Sequence, residues 1–138
     1  MHHPAELHPT LLIADDDPVV RSMLSMTLER QFQIAAAVPD AEEAVAAAEA
    51  LRPDVALVDV QMPGGGARTA VRRIAEVSPE TAVVVLSGDE SDALVRELMI
   101  AGAMTYVRKG IPPHHLADVL HRSIRARPDY DPARPTAA

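Results

Sequence analysis

The chain has no cysteine, which excludes disulfides and thiolate metal sites. It has no tryptophan, and its aromatic residues are Phe32, Tyr106 and Tyr130 alone. A core must therefore be assembled from Val, Leu, Ile, Met and Ala. No segment approaches the ~20 apolar residues of a membrane span. The first ten residues, MHHPAELHPT, lack the basic start and apolar middle of a secretory signal. No membrane role is expected, and a cytoplasmic location is. Positive charge is also short: 13 Lys and Arg against 20 Asp and Glu leave a net charge of −7. Such a surface repels phosphate backbones, so no direct nucleic-acid binding by this chain is expected.

What is present suits one folded domain. The 138 residues are 48% apolar and 24% charged, within the size and composition of a single-core globule. Thr10 to Ala14 reads as a buried strand. Asp17-Pro18 then offers a helix cap followed by proline at the first helical position, and a helix is expected to about Arg30. Phe32 to Val38 reads as an Ala-rich edge strand. Asp40 and Glu43 form a capping box for a helix ending before Pro53.

The pattern then repeats. DVALVDV (54–60) is a third strand, followed by QMPGGG and a helix with Ala67, Ala70, Val71 and Ile74 on one face. TAVVVL (81–86), rich in β-branched residues, is a fourth strand. A helix from about Asp89 to Gly102 carries Leu94, Val95, Leu98 and Met99. Met104 to Val107 is a fifth strand, and Pro112-Pro113 opens a last helix with Leu116, Val119, Leu120 and Ile124 inward. Five strands alternating with helices predict a doubly wound α/β fold with a parallel sheet covered on both faces. Residues 1–9 read as an N-terminal extension, 10–126 as the domain, and 127–138 as a Pro-rich linker or frayed tail.

In an open α/β sheet, ligands bind beyond the carboxyl ends of the strands. There the sequence sets Asp15, Asp16 and Asp17 after the first strand and Asp59 and Gln61 after the third. Ser87 follows the fourth and Lys109 the fifth. Asp17 is explained as a cap. Asp59 is harder to explain structurally, because a lone charge closing an apolar strand is costly unless paired. Asp15, Asp16 and Asp59 together call for a cation, and a hard divalent ion such as Mg²⁺ fits carboxylate oxygens. Lys109 is a mobile point charge able to reach a carboxylate or a phosphoryl oxygen. The histidines form no convincing metal set, and His114, His115 and His121 are expected on a solvated helix face.

Through LLIADDDPVVR, PDVALVDVQMPGG, VVVLSG and AGAMTYVRKG, the chain resembles the receiver domain of bacterial two-component response regulators over about Thr10 to Arg125. The resemblance implies a flavodoxin-like sheet of order 2-1-3-4-5. It implies that Asp59 is the phospho-acceptor for a histidine kinase or phosphotransfer protein. Asp15, Asp16, Asp59 and the backbone carbonyl of Gln61 would hold Mg²⁺. Ser87 and Lys109 would bind the phosphoryl group, and Tyr106 would be the aromatic switch. The face formed by the last helix, the fifth strand and the preceding helix would then act on an output domain or partner, or form a homodimer. Such a domain is a signalling phospho-acceptor rather than an enzyme acting on a separate substrate.

Two departures stand out. Gly110 replaces the proline usual after the lysine, so that connection is expected to be trans or mobile. Glycine there, within KGIPPHHL, is similar to receivers of NarL/LuxR-type transcription regulators. Gly64 to Gly66 imply a flexible loop beside Asp59. Rival readings are weaker. A haloacid dehalogenase-like phosphatase needs a second Asp where Gln61 stands. A flavodoxin-like flavin binder needs a hydroxyl-rich phosphate loop and aromatics. A stand-alone regulator or phosphorelay module, and a receiver-like interaction module that never accepts phosphate, stay open.

Overall fold

The structure is a computed structural model, which describes residues 8–63, 66–88, 91–128 and 130–133. Its centre is a sheet of five parallel strands: β1 (Thr10–Ala14), β2 (Gln33–Val38), β3 (Val55–Asp59), β4 (Ala82–Ser87) and β5 (Thr105–Arg108). They lie in the order β2-β1-β3-β4-β5, the flavodoxin-like order expected. The connections are α1 (Pro18–Leu28), α2 (Ala41–Leu51), α3 (Gly66–Val77) and α4 (Asp92–Ala101), and α5 (Pro113–Arg125) closes the unit. Strands β1, β3 and β4 are buried along their whole length, which is why their sequences are continuous apolar runs rather than alternating ones.

Side chains alternate between the two faces of each strand, and this sorts the core into two halves. On one face Leu12, Ala14, Ala56, Val58, Val83 and Val85 pack with Ala44, Val71 and Ile74 of α2 and α3. On the other, Leu11, Ile13, Val55, Leu57, Val84 and Leu86 pack with Leu28, Leu116 and Leu120 of α1 and α5. Small Ala side chains on α2 and α3 let those helices lie close. Beyond the end of α4, Gly102 has φ 137°, and a Cβ there would stand 2.9 Å from Ala75 Cβ. Only glycine suits both the conformation and the space.

Several boundaries differ from the sequence reading for local reasons. Helix α1 stops at Leu28, short of Arg30, and Phe32 precedes β2 rather than opening it, its N–H bonded to Leu28 O at 2.9 Å. The Phe32 ring is buried and stacks on His121 at 4.4 Å, so His121 is half-buried rather than on a solvated face. His114 and His115 are exposed. Asp40 Oδ1 accepts from Glu43 N–H at 2.8 Å, the forward half of the capping box. Helix α4 begins at Asp92, not near Asp89, because Ser91 is its cap; Asp89 itself lies outside the described residues, as do Gly64 and Gly65. Gly66 is the first residue of α3. Val119 is only half-buried, and Ala117 takes a buried place instead.

Below the sheet, at the amino ends of its strands, a polar knot ties the end of α5 to the centre. Asp54 Oδ2 accepts from Thr10 N–H at 2.8 Å and from Thr10 Oγ1 at 3.1 Å. Arg127, where a free tail was expected to begin, donates to the carbonyls of Glu80 at 2.8 Å, Ile124 at 3.0 Å and Asp54 at 3.2 Å. Its guanidinium also stands 3.6 Å from Asp54 Oδ1. Tyr130 packs against the apolar half of the core that α5 covers. Among the described residues, no helix is long and apolar enough to cross a membrane.

Candidate functional site

Strand register assembles the site. Ala14 lies opposite Val58, so one step beyond the strand Asp15 comes beside Asp59. Ser87 lies opposite Arg108, and Lys109 N–H donates to Ser87 O at 2.7 Å, which sets Lys109 at the same rim. Carboxylate oxygens of Asp15, Asp16 and Asp59 all lie within 4.8 Å of one another. Asp15 and Asp59 are buried and Asp16 is exposed. The sequence-predicted acids thus converge.

Lys109 Nζ stands 3.0 Å from Asp59 Oδ1 and 3.3 Å from Gln61 Oε1. The same Asp59 oxygen accepts from Gln61 N–H at 3.1 Å. Gln61 therefore holds both members of the ion pair, through its backbone and its side chain, whereas its sequence-predicted role lay in its carbonyl. Asp17 Oδ1 caps α1 by accepting from Val19 N–H at 2.9 Å. Ser87 is fully buried behind the rim, and Tyr106 is 42% exposed on β5. Gly110 has φ 93°, a conformation proline cannot adopt.

The electrostatics are those of a cation site. Asp15 Oδ1 accepts from Asp17 N–H at 2.9 Å, but its buried Oδ2 has no hydrogen-bond partner. Burial pushes the Asp15 carboxyl up to about 6 from 3.8, against the Asp17 hydrogen bond that lowers it, and the Asp59 charge adds to the rise. Lys109 offsets part of this rise, and a cation among the three acids would offset more. Asp15, Asp16 and Asp59 thus fit a hard divalent ion, which takes carboxylate oxygens and keeps waters for its other positions.

Two cationic contacts had escaped the sequence reading. Arg21, in α1, donates to Asp15 O at 2.8 Å and pins the first loop. Arg108 donates to Gly88 O at 2.8 Å, one residue beyond Ser87. Both residues go to backbone carbonyls, which no residue pattern marks. The only available hint for Arg108 was strand alternation, which points it away from Lys109 and onto the Tyr106 side of the sheet.

Comparison with known proteins agrees with this geometry. The family model of the response regulator receiver domain matches residues 11–121. The chain is 35% identical over 102 residues to the response regulator GacA of Pseudomonas aeruginosa, an alignment covering 72% of this chain and 48% of GacA. It thus spans about half the length of that relative. The solved receiver domain of the putative response regulator NarL from Mycobacterium tuberculosis superposes with a TM-score of 0.81 at 21% identity, covering 87% of this chain and 98% of that one. The receiver domain of the sensor histidine kinase PA1611 from Pseudomonas aeruginosa, solved with magnesium in its active-site cleft, gives a TM-score of 0.75 at 24% identity. That match covers 85% of this chain and 98% of the other.

Proposed function

The chain belongs to the response regulator receiver family of two-component systems, and from that premise we propose that Asp59 accepts a phosphoryl group with Mg²⁺ held by the neighbouring acids. The donor would be a histidine kinase or a phosphotransfer protein. One observation carries the reading: a buried carboxylate closing the central strand has an ammonium 3.0 Å away and two further carboxylates converging on it.

Each residue has a physical task. An Asp59 oxygen attacks the phosphorus of a phosphohistidine. A P–O bond forms, the P–N bond breaks, and the imidazole nitrogen leaves with the electron pair. Gln61 N–H and Lys109 hold Asp59 Oδ1 and so orient the carboxylate for in-line approach. Asp15, Asp16, Asp59 and the Gln61 carbonyl would hold the ion, which neutralises phosphoryl oxygens when bound. Lys109 sheds its contact with Asp59 to meet one of those oxygens, and Ser87 turns its hydroxyl toward another.

That turn vacates space into which Tyr106 can swing, rearranging the face of α4, β5 and α5. Tyr106 itself is 42% exposed on β5, which suits this face to an output domain, a protein partner or a second copy. Likeness to the transcriptional regulatory protein YxjL of Bacillus subtilis, 31% identical over 115 residues, supports a transcriptional output.

Intact-mass measurement after adding Mg²⁺ and acetyl phosphate tests the proposal. One phosphoryl adduct is expected in the wild type, and none in Asp59→Asn or without Mg²⁺. A stable adduct on Asp59→Asn would overturn the assignment.

A further inference from the structure

We propose that Arg108 is a positioning residue that tethers Gly88, just beyond β4, and so opposes the switch. The inference rests on the phospho-acceptor reading above, since Ser87, the residue before Gly88, carries the hydroxyl of that reading.

The geometry is specific. Arg108 sits opposite Ser87 in the β4–β5 register, and its guanidinium crosses to the carbonyl of the next residue, Gly88, at 2.8 Å. The neighbouring backbone is already fixed, because Lys109 N–H donates to Ser87 O at 2.7 Å. Arg108, the last residue of β5, and Lys109 just beyond it therefore grip the successive carbonyls of Gly88 and Ser87, one through a side chain and one through the backbone. The backbone bond belongs to the sheet and has no reason to break. The side-chain bond is exposed and can be given up.

Alternation puts Tyr106 and Arg108 on one side of β5 and Lys109 on the other. Lys109 points to Asp59, whereas Arg108 acts on the far side, where Tyr106 stands exposed. With Ser87 O held by Lys109 N–H, a backbone movement that brings the Ser87 hydroxyl inward would pivot the Gly88 carbonyl. The Arg108 contact must then stretch or re-form. An ionic donor on a neutral carbonyl is stronger than an ordinary hydrogen bond, so the tether biases Gly88 toward the position seen here.

The test compares wild type, Arg108→Ala and Arg108→Lys in the full chain, labelled with 3-fluorotyrosine. Tyr106 and Tyr130 are the only tyrosines, and Tyr130→Phe assigns the two ¹⁹F signals. Beryllofluoride with Mg²⁺ serves as the phosphoryl mimic. Arg108→Ala is expected to lower the beryllofluoride midpoint about fivefold, the scale of one lost hydrogen bond. It should also move the Tyr106 signal of the free protein toward its beryllofluoride-bound position, and Arg108→Lys should restore part of both effects.

Amide exchange at Gly88 in the free protein gives a readout that needs no phosphoryl chemistry, and it should quicken in Arg108→Ala. An unchanged midpoint, Tyr106 signal and exchange rate would overturn the tether. Lack of any acetyl phosphate adduct in the wild type would instead count against Asp59, and the exchange rates would still decide the tether.

Discussion

Lys109 and Asp59 meet at 3.0 Å although their strands are not neighbours: β4 lies between β3 and β5. Lys109 reaches across the end of β4, over buried Ser87, to touch the carboxylate. Removing the ammonium should therefore slow chemistry without removing the nucleophile. Lys109→Ala is expected to form the acetyl phosphate adduct about 100-fold more slowly than wild type, the cost of one electrostatic donor at a reacting group. Time-resolved intact mass checks this.

The Asp15 carboxyl ties stability to pH and to the ion. Its folded value of about 6 lies above the ordinary 3.8. Between these values the folded chain holds a proton that the unfolded chain has released. Stability is therefore lost as pH rises from about 4 to about 6, by at most about 3 kcal/mol. In Mg²⁺-free buffer at pH 7, Asp15→Asn should melt several degrees higher than wild type, and the gap should close near pH 4. Added Mg²⁺ should raise the melting temperature of wild type and barely move that of Asp15→Asn. Calorimetry at three pH values, with and without the ion, decides it.

His121 works in the opposite sense. Burial against Phe32, with Arg125 nearby, lowers its titration below the usual 6.5. The stability it contributes is full above 6.5 and is lost as pH falls toward its depressed folded value. His121→Phe should remove that share of the acid sensitivity, visible as a shallower fall in denaturation midpoint between pH 7 and pH 5.

Ser87→Ala separates labelling from its consequence. The adduct should form as in wild type, because Gln61 N–H and Lys109 orient Asp59 Oδ1. The ¹⁹F signal of Tyr106 should then stay at its resting position on phosphorylation. A Tyr106 signal that moves as far in Ser87→Ala as in wild type would count against the coupling.

Gly102→Ala should cost stability with no effect on the site. Its φ of 137° and the 2.9 Å approach to Ala75 Cβ leave no room for a side chain. A loss of about 1–3 kcal/mol is expected from equilibrium denaturation, with phosphoryl labelling intact.

The sheet and the acidic rim were legible because they depend on patterns that single residues announce. Buried parallel strands must be continuous apolar runs, and Asp59 at the end of one has no structural excuse. Asp15 and Asp59 meet because strand ends in this topology share a rim. The ends of α1 and α4 were less legible, because Leu28 and Ser91 act through local hydrogen bonds that compete closely with their neighbours'. His121 was misplaced since a half-buried imidazole differs from an exposed one only by what packs on it, here Phe32 from a loop 89 positions away. Arg21 and Arg108 act on carbonyls, which every residue possesses.

The Arg127 clasp bears on how the chain can be shortened. A fragment ending at Ala126 would keep every strand and helix described above yet strip Asp54 of its cation, leaving a buried anion to be borne by Thr10 alone. A fragment running through Tyr130 would keep both the clasp and the ring that packs on the apolar floor beside it.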